Sequence, residues 1–118
     1  MDQPDDRLDD VFDALANDHR RAIMHALSLQ PRSISQLASM RGLSLPAIHK
    51  HILVLEGAAL VIRKKVGRTN IMGLNREPLR GLQEWAGGFN PYWGNEKETL
   101  ENYARYVGSN APPKEGEK

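Results

Sequence analysis

His49 and Lys50 stand side by side, and four cations, Arg63, Lys64, Lys65 and Arg68, follow shortly after them. An imidazole and an ammonium on one outward helix face can hydrogen-bond to base edges, and a cluster of fixed positive charge can neutralise phosphates. The chemistry these types offer is recognition of a polyanion. Bond-making chemistry finds no comparable support, because the chain has no glycine-rich phosphate loop, no metal-ligand spacing and no nucleophile set beside a His and an orienting acid. No cysteine is present, which excludes disulfides, thiolate metal sites and cysteine nucleophiles. His49 and His51 are two apart and point nearly opposite ways on a helix, so they cannot share a metal, and His19 and His25, six apart, fare no better. Asp5, Asp6, Asp9, Asp10 and Asp13 read as a solvated acidic helix start, favourable to the helix dipole.

The elements that position these groups follow from apolar spacing and capping residues. Leu8, Val11, Phe12 and Leu15 mark an amphipathic helix. Asn17 or Asp18 caps a second, with Ile23, Ala26 and Leu27 inward and Pro31 beyond its end. Ser33 caps a third, carrying Ile34, Leu37 and Ala38, and Gly42 supplies the left-handed turn. Ser44 caps a fourth with Pro46 in its first turn, where a missing N–H costs nothing. Its inward stripe is Ile48, Ile52 and Leu55. Counting about 100° per residue puts Pro46, Lys50 and Leu53 on the opposite face with Ala47 and His49 on its flanks, and His51 on the edge of the buried stripe. At that edge His51 reads as a half-buried structural histidine that can also touch a phosphate. Residues 60–66 and 69–74 are two strand-like runs joined at Gly67-Arg68, giving a hairpin. Helices over 76–86 and about 95–107 follow, separated by breaks at Gly87-Gly88 and Asn90-Pro91. The expected fold is mainly α with a small β-hairpin: a winged helix-turn-helix of five to six helices plus a two-stranded wing. One domain is expected over 1–107, with a polar, Pro-rich flexible tail over 108–118.

The formal charge of +1 conceals an asymmetry. Residues 31–75 hold seven basic side chains against one acidic, whereas residues 1–30 hold three against seven and residues 76–118 six against seven. A basic middle in a near-neutral chain draws a polyanion to one face without general stickiness. The amino terminus is acidic and no apolar run approaches about 18 residues, so neither a signal peptide nor a membrane span is expected and the cytoplasm is the expected compartment.

From Val11 to Asn75 the chain resembles the ArsR/SmtB family of winged-helix repressors. The resemblance rests on Phe12-Asp13-Ala14-Leu15-Ala16-Asn17, Arg20-Arg21-Ala22-Ile23, Ser35-Gln36-Leu37-Ala38, Ser44-Leu45-Pro46-Ala47-Ile48-His49-Lys50-His51-Ile52 and Val66-Gly67-Arg68, in that order. It implies a homodimer whose first and last helices form the interface, and a repressor on an inverted-repeat operator that an effector releases. Ser44, Ala47, His49 and Lys50 fall where the family contacts the major groove and phosphates, and Arg68 falls at the wing tip. With the cationic wing and His51 added, the expected DNA-binding set is Ser44, Ala47, His49, Lys50, His51, Arg63, Lys65, Arg68 and Thr69. The expected dimer interface is Leu8, Val11, Phe12, Leu82, Trp85, Phe89, Tyr92, Trp93, Leu100 and Tyr103. Ser33 and Ser35 stand where the family's metal sensors carry a Cys-x-Cys. Residues 76–86, where a second family metal site lies, contain no His or Asp, so no metal and no cofactor is expected. Ala59 replaces a usual helix-ending glycine, and Leu53 a usual polar residue.

Trp85, Phe89, Tyr92, Trp93, Tyr103 and Tyr106 concentrate most of the chain's aromatic area near its carboxy end. The plain reading is the dimer interface; the sharper one is a pocket for a small organic effector. The competing function is a winged helix that binds only proteins, with Leu53 and the aromatic cluster as its docking surface. The confinement of positive charge to residues 31–75 argues for double-stranded DNA as the partner.

Overall fold

The computed structural model describes residues 4–110, with side chains over 7–109. In chain order the elements are α1 (Pro4–Leu15), α2 (Asp18–Leu29), β1 (Arg32–Ser33), α3 (Ile34–Arg41), α4 (Leu45–Gly57), β2 (Val61–Val66), β3 (Thr69–Leu74), α5 (Glu77–Gly87), α6 (Asn90–Trp93) and α7 (Glu96–Asn110). By contacts the chain divides into two compact units, Met1–Leu82 and Gln83–Lys118, where one domain over 1–107 was expected.

In the first unit, local chemistry sets each helix boundary. Asn17 caps α2 by accepting from the Arg20 N–H. Ser33 and Gln36 form a reciprocal capping box on α3, with Ser33 accepting from the Gln36 N–H and Gln36 from the Ser33 N–H. Ser44 caps α4 by accepting from the Ala47 N–H at 3.2 Å. The two ends that matter for the turn and the wing close by one device. After α3, Leu43 N–H donates to Ala38 O and Gly42 N–H to Ser39 O; after α4, Leu60 N–H donates to Leu55 O and Ala59 N–H to Glu56 O. Both are Schellman closures, which require a left-handed residue. Gly42 takes that conformation at φ 64 without strain, whereas Ala59 takes it at φ 59 with a Cβ that the region disfavours. Helix α4 therefore ends at Gly57 and still turns sharply through an alanine.

The helices converge on one apolar core. Ile23 and Leu27 of α2, Leu37 of α3, and Ile48, Ile52 and Leu55 of α4 pack with Leu60, Val61 and Met72, and no described polar side chain is buried among them. Each such large side chain removed from water stabilises the unit by about 1.5–3 kcal/mol. Helix α1 is fixed to α2 by arginine donors at its carbonyl end: Arg20 Nε reaches Ala14 O at 2.6 Å and Arg21 Nη1 reaches Leu15 O at 2.8 Å. Val11 is 2% exposed and belongs to this core. Its expected place in a dimer interface is corrected, because the stripe of α1 splits: Val11 and Ala14 face inward while Phe12 stays outside.

The wing is larger than the expected pair of strands. Strand order is β1-β3-β2, all antiparallel, with Arg32 opposite Met72 and Ser33 opposite Ile71. A two-residue strand carries no periodicity of its own and exists only through this distant pairing. Val66 opposite Thr69 leaves Gly67 and Arg68 as the hairpin connection, with Gly67 at φ 63. Leu60 lies outside β2 as a fully buried link from α4, and the side chain of Asn75 donates to Ala59 O at 2.7 Å, tying the far end of β3 to that link.

The second unit is a helical hairpin. Asn95 caps α7 by accepting from the Glu98 N–H at 2.9 Å, and the side chain of Asn102 donates to Tyr92 O at 2.8 Å. Helix α6 occupies Asn90–Trp93, where a break was expected, because Pro91 lies in a first helical turn that needs no N–H from it. The described residues thus hold seven helices rather than five to six. Helix α7 continues through Gly108 to Asn110, since one glycine costs a helix about 1 kcal/mol without ending it. The remainder of the tail expected over 108–118 lies outside the described residues.

Candidate nucleic-acid interface

A cleft of about 450 Å³ opens between the amino ends of α3 and α4 and the wing, lined by Ser33, Ile34, Ser35, Leu45, Pro46, His49, Arg68, Thr69 and Asn70. Its walls are a helix-turn-helix and a hairpin, each held by the caps and pairings above. Of the DNA-binding residues expected from the sequence, it brings together His49, Arg68 and Thr69. Lys50 is exposed on α4 and Lys65 on β2, while Ala47 is half-buried. Ser44 is exposed, with its hydroxyl oxygen engaged at the α4 cap.

Two expected members are held by the protein itself. Arg63 forms a bidentate ion pair with Glu56, Nη2 to Oε1 at 2.8 Å and Nε to Oε2 at 3.1 Å. Glu56 is the sole acid in residues 31–75, so Lys50, Lys64, Lys65 and Arg68 keep their charge uncancelled by a neighbouring carboxylate of that stretch. The pair also staples α4 to β2, and its fork geometry suits arginine better than lysine.

His51 sits on the inner flank of α4 against α2. Arg20 Nη1 lies 3.2 Å from its Nδ1, and since a guanidinium has only donors, Nδ1 must accept. Its ring centroid is 5.4 Å from that of His19, whose Nδ1 accepts from Arg41 Nε at 3.1 Å. Arg41 in turn pairs with Asp18 at 3.2 Å. Burial, reinforced by the Arg20 guanidinium and by His19, pushes the His51 imidazole below its ordinary value. His51 is therefore a neutral acceptor that locks α4 to α2.

Sequence reading missed Leu45, Ser33, Ser35 and Asn70 as cleft residues. By helical counting Leu45 lies about 60° from Ile48, close to the buried stripe. It is 54% exposed instead. The Cα–Cβ bond in a helix leans toward the amino end, so the first residue of α4 overhangs the helix where nothing packs against it. No periodicity could have found it. Asn70 and Ser33 enter through the β1-β3 pairing, which is equally non-local.

Among the described residues, no three His, Cys, Asp or Glu side chains converge to hold a metal ion, and no helix is long and apolar enough to cross a membrane.

The same arrangement recurs in known proteins. Residues 17–63 match the family described as bacterial regulatory protein, arsR family. The HTH-type transcriptional regulator Rv2034 of Mycobacterium tuberculosis is 30% identical over 101 residues, 86% of this chain and 89% of its own. A Bacillus subtilis protein described as the uncharacterized HTH-type transcriptional regulator YuzN is 33% identical over 81 residues, 63% of this chain and 88% of its own. The crystal structure of the ArsR family transcriptional regulator RHA00566 superposes with a TM-score of 0.71 at 31% identity, covering 81% of this chain and 99% of that one. Matched in fold, in the order of its helix-turn-helix and wing, and in sequence over most of its length, the chain belongs to the arsR family of bacterial transcriptional regulators.

Proposed function

We propose that the protein is a cytoplasmic, non-catalytic homodimeric repressor that binds an inverted-repeat operator through the α4 face and the wing. The observation that carries this reading is the exposed cationic set Lys50 on α4, Lys64 and Lys65 on β2 and Arg68 at the wing tip, with Arg68 lining the cleft at the amino end of α4. Phosphate contacts from these groups supply most of the affinity, and His49 and Lys50 supply hydrogen bonds to base edges. Two such faces related by a dimer axis read half-sites about one helical turn, or a multiple of it, apart. Dimerisation falls to Leu8, Phe12, Leu82, Leu100 and the carboxy-terminal aromatics; Phe12, Leu100 and the aromatics are exposed in the single chain, and Leu8 and Leu82 are half-buried.

Release of the operator falls to a small organic effector. Its support is the aromatic-walled hollow of about 610 Å³ in the second unit, formed by Phe89, Asn90, Trp93, Gly94, Asn95, Glu96 and Thr99. The test of the regulator reading is selection of bound duplexes from a random pool. Enrichment of one inverted repeat is expected; a pool that stays unenriched at low salt overturns sequence-specific binding.

A further inference from the structure

The outward face of α4 offers few hydrogen-bonding groups for a helix that reads bases. His49 and Lys50 are polar, but Leu45 at 54% exposure, Pro46, and Leu53 at 52% are apolar and face solvent. Leu45, His49 and Leu53 succeed one another at four-residue spacing and so share one strip. Leu45 alone of the two leucines lines the cleft with His49, Arg68 and Thr69. Leu53 lies eight residues on, about 12 Å farther along the axis. The amino end of a recognition helix is the end that meets base edges. Leu45, first in α4, therefore stands at the end of the helix that meets base edges, in the same cleft as His49 and Arg68.

Of the groups that base pairs present in the major groove, the C5 methyl of thymine is the one projecting apolar group; cytosine has only a hydrogen at that place, and the other contact points are donors or acceptors. A leucine pressed against a donor or acceptor would strip it of water and return no hydrogen bond, which penalises the other bases. We propose that Leu45 is a specificity-determining residue that selects thymine by packing on its 5-methyl group, beside the base that His49 hydrogen-bonds. This rests on the proposed operator-binding function, and it adds to that function a particular base and a particular atom.

The experiment uses the full chain and the duplex recovered from the random pool. Each thymine of the half-site is replaced in turn by uracil, which deletes the methyl and leaves the hydrogen-bonding edge intact. Affinities are measured for the wild-type protein and for Leu45→Ala and Leu53→Ala. Wild-type affinity should fall about fourfold at one or two thymines per half-site, the equivalent of about 0.8 kcal/mol for one buried carbon group. In Leu45→Ala the thymine and uracil duplexes should bind alike at those positions, while Leu53→Ala retains the difference. Circular dichroism confirms that each variant is folded. A half-site without thymine, equal affinity for thymine and uracil at every position, or a difference that persists in Leu45→Ala overturns the assignment while leaving operator binding standing. A pool that yields no preferred sequence instead removes the regulator reading on which the assignment depends.

Discussion

Among the described residues, fifteen hydrophobic side chains are buried in the unit Met1–Leu82 and none in Gln83–Lys118. The second unit is held by edge-on aromatic contacts, Trp85 with Phe89 and Tyr92 with Trp93, both at 4.9 Å, and by hydrogen bonds that the Asn102 side-chain N–H donates to Tyr92 O and the Thr99 hydroxyl to Trp93 O. The first unit has a buried apolar core and leaves Lys50, Lys64, Lys65 and Arg68 outside it. The second leaves its aromatic rings largely at the surface, touching one another without a buried core beneath them. A unit of the first kind can present a rigid face to DNA; one of the second kind gains its stability by covering its aromatics with another surface.

The sharpest break between the two should come from truncating one side chain in each. Leu55 is fully buried where α4 meets the wing, so Leu55→Ala should destabilise the protein by about 2–5 kcal/mol in urea unfolding. A loss below about 1 kcal/mol would mean that this core is not the source of rigidity. Trp93 contacts Tyr92 and Tyr103 and is 38% exposed, so Trp93→Ala should act on association instead. A tryptophan at the centre of an interface contributes about 2 kcal/mol, which corresponds to about a thirtyfold weaker dimer in sedimentation equilibrium. A variant still fully dimeric at low micromolar concentration would place the interface elsewhere.

Smaller effects sharpen the account of the first unit. Ala59→Gly relieves the left-handed alanine after α4 and should stabilise by about 1 kcal/mol, raising the melting temperature by about 4 °C at fixed protein concentration. An unchanged or lower melting temperature would show that the alanine is unstrained. The least effect is a pH dependence. Because the His51 pKa is lowered in the fold, the unfolded chain takes up its proton first, so its contribution is complete above about pH 6.5 and lost as pH falls toward the lowered value. Burial comes first, and the groups facing the ring, Arg20 and His19 from α2, both oppose a positive charge on it; Arg41, bonded to His19, is paired with Asp18. His51→Gln keeps an acceptor for Arg20 without a titrating proton. Its stability should therefore fall less than wild type between pH 7.5 and 5.5, and equal losses would contradict the role assigned to the pair.

Local signals made much of the first unit legible in the sequence. Ser33, Ser44 and Gly42 mark their helix boundaries because a cap is a contact between residues three to five apart, and Ile48, Ile52 and Leu55 repeat at the helical period. What escaped was non-local. The β1 strand exists only against Met72 and Ile71, the ion pair of Arg63 joins two elements, and the split of the α1 stripe between Val11 and Phe12 depends on where α2 lies. The overhang of Leu45 follows from being first in its helix, a position that periodicity treats like any other. In the second unit the short chain of contacts through Asn102 bridges nine and ten residues, so Asn90-Pro91 reads as a break until α7 is in place.

Charge on the α4 face and the wing tip is proposed to hold DNA. This is tested most directly by the salt dependence of operator affinity in wild type and in Lys50→Ala/Arg68→Ala, followed by fluorescence anisotropy. Both side chains are exposed, so the double variant should fold as wild type does. Its affinity should fall, and the slope of log affinity against log salt should flatten by about two for each bound protomer. A folded variant with unchanged affinity and slope would contradict the assignment of this face.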